Sequence, residues 1–104
     1  MVKRIPAVDI LNRVRVLLVL KKDIIEVKTV KGLRAKYDYT IDPYKLTYSA
    51  YRSHCERKDF AIIRNNPYPW ILRITNGDMA MFRIDSEKDI EVFKNYIREL
   101  RTVS

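Results

Sequence analysis

Cys55 is the chain's only cysteine and His54 its only histidine. A single thiol excludes a disulfide within the chain, and one Cys beside one His leaves too few ligands for a Cys/His zinc site. His-dependent catalytic triads shrink to these two neighbours acting together, and an adjacent pair reads more simply as two residues with no chemical role. The two glycines, Gly32 and Gly77, are isolated, so no glycine-rich phosphate loop is present and nucleotide hydrolysis is not expected. No apolar run approaches the roughly 20 residues that a membrane span needs. The longest, Val16 to Leu20, is strand length. The start, MVKRIPAVDI, is basic but has neither a long apolar stretch nor a small-residue cleavage site, so it does not read as a signal peptide. The expectation is a cytoplasmic protein with no membrane partner.

Glutamine is absent altogether, while 33% of residues are charged. Avoiding labile amides and favouring ion-pair networks suits a thermophile, and a viral or archaeal source fits the same composition.

What is present points to one small basic domain over residues 1–104, with enough hydrophobic residues (47%) for a core. The net charge of +8 is lopsided: residues 1–52 hold 12 Lys and Arg against 5 Asp and Glu, and residues 53–104 hold 9 against 8. A basic imbalance of this kind favours nucleic acid or another acidic partner.

Periodicity outlines the architecture. Pro6 to Asn12 reads as a short helical turn. Arg13–Leu20 alternates, with Val14, Val16 and Leu18 opposite Arg13 and Arg15, which predicts a strand. A helix over residues 7–20 is the competing reading, because Ile10, Leu11, Val14, Leu17 and Leu18 also form a helical stripe. Asp23–Val30 is a second strand, with Glu26 and Lys28 on one face, and Arg34–Ile41 is a third. Asp42-Pro43 then reads as an N-cap followed by proline at the first helical position, opening a helix to about Lys58 with Tyr44, Tyr48 and Tyr51 on one face. Asp59–Asn65 is a strand and Asn66–Pro69 a stiff loop. Trp70–Thr75 and Met79–Asp85 flank Asn76-Gly77, a strong hairpin signal. Ser86 to Asp89 resembles a capping box before a last helix to about Arg101, striped by Ile90, Phe93, Ile97 and Leu100. The predicted class is α+β, with antiparallel strands and helices packed on one face, in the order (short α)-βββ-α-βββ-α. Tyr39–Lys45 and Phe82–Lys88 look alike, which suggests a βββα pseudo-repeat with halves 13–58 and 59–101.

Three groups of residues suggest function. First, Arg13, Arg15, Lys28, Arg34 and Lys36 are expected on one polar sheet face, where clustered cations bind phosphate through counterion release. Second, aromatics mix with cations: Tyr44, Tyr48 and Tyr51 lie near Lys45 and Arg52, and Tyr68 and Trp70 flank a proline loop. Exposed aromatics of this kind stack bases, although a tyrosine stripe is more often core. The leading expectation is therefore a non-catalytic nucleic-acid-binding protein, for DNA or RNA, with sequence-tolerant contacts at Arg13, Arg15, Lys28, Arg34, Lys36, Lys45, Arg52, Tyr68 and Trp70 and no cofactor. A ribosome-, chromatin- or replication-associated protein, or a viral or plasmid accessory protein, fits that description.

Third, the strand IIEVKTV resembles the Glu-x-Lys strand of restriction-enzyme-like nucleases. That resemblance implies Mg²⁺-dependent cleavage, with Glu26 and an upstream Asp holding metal and Lys28 stabilising developing charge. Asp9 is the candidate for the upstream Asp. Glu56-Arg57-Lys58 repeats the pattern at a predicted helix end, which shows how readily the pattern arises. A further alternative is a homodimer or structural assembly built on sheet edges and the apolar residues Trp70, Met79 and Met81.

Overall fold

The computed structural model describes residues 2–30, 38–54 and 68–102. Arg34, Lys36, the Lys31-Gly32 turn, Cys55, the Glu56-Arg57-Lys58 pattern and the strand expected at Asp59–Asn65 lie outside the described residues.

Seven antiparallel strands form one curled sheet in the spatial order β4-β3-β2-β1-β7-β6-β5. The strands are β1 (Lys3–Asp9), β2 (Val14–Leu20), β3 (Ile25–Thr29), β4 (Tyr39–Ile41), β5 (Thr47–Arg52), β6 (Trp70–Thr75) and β7 (Met79–Ile84), followed by the helix α1 (Glu87–Thr102). Two meanders, β1–β4 and β5–β7, join where β1 pairs with β7. Among the described residues α1 is the one helix. The expected α+β arrangement with three helices is therefore corrected to a half-barrel of strands with a single helix.

Two expected helices are strands instead. Pro6–Asn12 belongs to β1 and the turn after it, and Pro6 is the reason the sequence misleads. In the β1–β7 ladder Val8 faces Arg83, and the Ile10 N–H donates to the Met81 carbonyl at 2.9 Å. By that parity the backbone of Pro6 also faces β7, and proline has no N–H to give. Its partner on β2 is Leu17, and that pairing is kept. β1 and β7 pair only at Val8↔Arg83 and Asp9↔Phe82, and the ladder stops before it reaches Pro6. A cleft of about 380 Å³, lined by Pro6, Arg15, Arg83, Asp85 and Asp89 among others, occupies the parting.

The helix expected from Asp42 onward is also absent. Its start signal is physically real, since the Tyr44 N–H donates to Asp42 Oδ1 at 2.9 Å and the Lys45 N–H to the Asp42 carbonyl at 3.4 Å. An Asp-Pro turn has the geometry of a helix's first turn, but here the chain leaves it as β5, which pairs with β6 from Thr47↔Thr75 to Arg52↔Trp70. The βββα pseudo-repeat fails with it, because its first half has strand β5 where the helix should stand. The competing helix over residues 7–20 is excluded by β1 and β2, which pair along their whole length.

Other expectations are met locally. The hairpin at Asn76-Gly77 forms, with Gly77 at φ 98°, a conformation that glycine adopts without steric cost. α1 begins after Ser86, whose carbonyl accepts from the Asp89 and Ile90 N–H groups at 3.1 and 3.4 Å.

The register assigns each residue to a face. The concave face carries Ile5, Ala7, Val16, Leu18, Leu20, Ile25, Val27, Ile41, Leu72, Ile74, Phe82 and Ile84, all buried. α1 lies in this concavity and buries Ile90, Phe93 and Ile97 against both meanders. Phe93 meets Tyr48 of β5 edge-on, with ring centroids 5.1 Å apart. The far end of the helix is pinned by Tyr96, whose hydroxyl donates to the Lys21 carbonyl at 2.6 Å, and by Arg101, which donates to the Leu46 carbonyl. One helix thus spans from β7 to the turns of the first meander.

Burial pushes the Tyr96 phenol up to about 12, with smaller contributions from Tyr44 and Asp23. An unfolded tyrosine ionises near 10, so the unfolded chain releases this proton first. The stability that the neutral hydroxyl contributes is complete below about pH 10 and is lost as the pH rises towards 12. Denaturant melts at stepped alkaline pH should show the wild type falling steeply over this window. Tyr96→Phe should start about 1 kcal/mol lower at neutral pH and fall less.

Candidate nucleic-acid interface

The sheet's outer face is set by the same alternation. β1, β2, β3 and β6 each place an exposed cation there: Arg4, Arg15, Lys28 and Arg73. Arg15 pairs across from Val8, which in turn faces Arg83. Lys28 faces Leu17, one step diagonally from Arg15. Arg83 is on this face but buried, 3.2 Å from Asp85 through its Nε.

Glu26 shares the outer face. Lys21 Nζ stands 2.8 Å from its Oε1 and Lys28 Nζ 3.5 Å. The Lys21 contact first, and the charge of Lys28 after it, hold the Glu26 carboxyl below its ordinary range despite some desolvation. Lys28 keeps 52% of its side-chain surface exposed, so its ammonium still meets solvent on the face.

The predicted cationic group is therefore partly assembled. Arg15 and Lys28 come together, but Arg13 does not join them. It sits in the β1–β2 turn at φ 55°, a left-handed conformation uncommon for a residue with a Cβ, and marks the end of the hairpin. Lys45 lies in the Asp42–Leu46 turn at a different edge, where the Tyr44 hydroxyl donates to Asp23 at 3.0 Å. That bond, more than burial, raises the Tyr44 phenol. Sequence reasoning misses Arg4, because it assigns no strand before the helical turn expected at Pro6–Asn12, and Arg73, although the alternation Trp70-Leu72-Ile74 against Ile71-Arg73 already places Arg73 outward.

The aromatic candidates separate in the same way. Tyr48 is on the concave face and Tyr51 on the outer one, so the helical stripe does not exist. Arg52, Tyr68 and Trp70 do meet, at the end of the β5–β6 ladder. Arg52 faces Trp70 in register, and the Ser53 N–H donates to the Pro69 carbonyl at 3.2 Å, which carries the ladder one step further. His54 and Tyr68 then stand opposite each other, rings edge to face at 5.3 Å. Arg52 Nε and Nη2 donate to the Tyr68 carbonyl at 3.1 and 2.8 Å. The Arg52 guanidinium and the Lys94 ammonium both lie 6.0 Å from the centre of the Trp70 ring. His54 and Lys94 were not foreseen: His54 was assigned to a helix, and nothing in the sequence links α1 to Trp70.

The nuclease constellation does not converge. Glu26 and Lys28 are on the outer face. Asp9 is on the concave side, fully buried, accepting from the Asn12 N–H (3.2 Å), Asn12 Nδ2 (3.0 Å) and the Tyr39 hydroxyl (3.0 Å). One metal ion cannot be held from both sides of a sheet. Among the described residues no three His, Cys, Asp or Glu side chains are grouped to hold a metal. The assembly candidates are also divided, since Met79 and Met81 are on the outer face and Trp70 on the inner. Among the described residues no helix is long and apolar enough to cross a membrane.

No protein-family model matches the chain, and no curated protein matches its sequence.

Proposed function

We propose that this protein binds nucleic acid, with the outer sheet face meeting the phosphate backbone. The observation that carries the reading is the set Arg4, Arg15, Lys28 and Arg73: four strands each contribute one exposed cation to one face, where Glu26 is engaged by two lysines and Asp85 by Arg83. A net charge of +8 adds a field that draws polyanions from a distance. Cations spaced along a rigid sheet release counterions when they engage phosphates, and they do so with little regard to base sequence.

The test is a fluorescence-anisotropy titration of labelled DNA and RNA at stepped salt. The variant Arg15→Glu with Lys28→Glu should bind at least about tenfold more weakly and show a salt slope shallower by about 2, one unit per lost phosphate contact. Unchanged affinity and slope in that variant would contradict the reading.

A further inference from the structure

We infer that the cleft at the β1–β7 parting takes an unpaired guanine of the bound strand, with Asp89 reading the base's Watson–Crick edge. This rests on the nucleic-acid reading above and adds to it one position at which base identity matters.

The cleft holds about 380 Å³ and draws its lining from two places. Pro6, Arg15 and Arg83 come from the outer face of the sheet, beside the cations proposed to meet phosphate. Ser86 and Asp89 come from the entry and first turn of α1. β7 ends at Ile84 and the chain turns into α1, so the gap left beside β1 joins the outer face to the helix start. Pro6, Ala7 and Val16 give it apolar walls. Ligand sites run from roughly 300 to 1,000 Å³, and this one, at the small end, suits a single flat ring system.

Asp85 and Asp89 both line the cleft, and they differ. Asp85 is engaged by Arg83 Nε at 3.2 Å. Asp89 is half-buried, and among the described residues no donor or cation engages its carboxylate. Its own N–H donates to the Ser86 carbonyl at 3.1 Å, which fixes the residue in the first turn. Burial alone raises the Asp89 carboxyl above its ordinary value. A carboxylate drawn from water without donors costs free energy, and a ligand that brings donors recovers it.

The chemistry selects the base. A carboxylate accepts two parallel hydrogen bonds through its two oxygens. Guanine alone among the bases presents two adjacent donors, N1–H and the N2 amino group. In cytosine and adenine the amino donor lies beside a ring nitrogen that accepts, and that nitrogen would face a carboxylate oxygen. Uracil and thymine place one donor between two carbonyls. In a duplex both guanine donors are paired with cytosine, and freeing them costs unpairing energy. Reading unpaired bases by their edges is how proteins commonly gain sequence preference on single strands. Arg15 lines the cleft on its outer-face side, where the phosphate of the same nucleotide would join the outer-face contacts.

The test compares labelled oligouridylates carrying one central guanine, adenine or hypoxanthine, by anisotropy at fixed salt. Hypoxanthine keeps N1–H and lacks the 2-amino group. The wild type should bind the guanine strand at least about tenfold more tightly than the adenine strand, the discrimination of one bidentate contact, with hypoxanthine between them. Asp89→Asn keeps the shape but replaces one acceptor with a donor, and it should bring the guanine and adenine strands level. Thermal melting checks that this variant is folded. Free guanosine monophosphate should compete only in large excess, and displacement of the guanine strand at equal concentration would overturn the strand as the source of the base. Equal binding of the guanine and adenine strands by the wild type, or a guanine preference kept in Asp89→Asn, would overturn this inference and leave the outer-face reading standing. Failure of every strand to bind at low salt would overturn both.

Discussion

Phe93→Ala is expected to destabilise the protein by about 3–5 kcal/mol, the usual cost of removing a buried phenyl ring from a packed interior. Phe93 is fully buried and sits at the middle of α1, where the helix fills the hollow of the curled sheet. The ring meets Tyr48 edge-on at 5.1 Å and leans on Tyr96 at 6.5 Å, and such aromatic contacts add to the burial. No other described helix is there to fill the space. Small domains have roughly 5–15 kcal/mol of total stability, so the variant should unfold at a much lower urea concentration. Phe93→Leu is the control, as it refills most of the volume and should recover more than half of the loss. A Phe93→Ala protein as stable as the wild type would mean that α1 does not pack in the concavity.

Asp9→Ala should cost about 2–3 kcal/mol, because it removes the buried acceptor and leaves its three donors without it. Asp9 ends β1 and shapes the turn that follows, taking the Asn12 N–H and side-chain amide. It also takes the hydroxyl of Tyr39, a residue on β4 three strands away in the sheet order. That bond crosses the hollow like a chord and is possible only because the sheet curls. Asp9→Asn keeps the shape and one acceptor and should lose about half as much. Tyr39→Phe removes only the chord and should cost about 1 kcal/mol. Equilibrium urea unfolding of the three variants measures this order, and equal stability of Asp9→Ala and wild type would contradict it.

The parts of the fold legible in the sequence were those where local and global preferences agree. The β6–β7 hairpin has β-rich strands on either side of Asn76-Gly77, and α1 has a start signal, a stripe and enough length. β2 and β3 follow from alternation. The β1 strand was hidden by Pro6, which is tolerated because its backbone faces the parting between β1 and β7. The β5 strand was hidden by Asp42-Pro43, a turn with helical geometry, and by tyrosines that happen to fall at helical spacing. Its own alternation was weak, since Thr47, Ser49 and Arg52 leave neither side clearly apolar.

Site residues were legible only as far as the strands were. Arg15 and Lys28 lie on strands whose alternation could be read, and they share a face. Asp9 and Glu26 belong to different faces, which spacing along the chain cannot reveal. The end of the β5–β6 ladder brings His54 beside Tyr68 through a register that exists only once β5 is a strand. Lys94 reaches Trp70 through the docking of α1, a tertiary contact with no local signal.

The most direct measurement of the functional account is the salt dependence of nucleic-acid affinity, compared between the wild type and the variant Arg15→Glu with Lys28→Glu. The account predicts binding at low salt that weakens linearly in log–log form, with a shallower slope in the variant. Parallel lines of equal affinity for the two proteins, or no binding by the wild type at low salt, would contradict it.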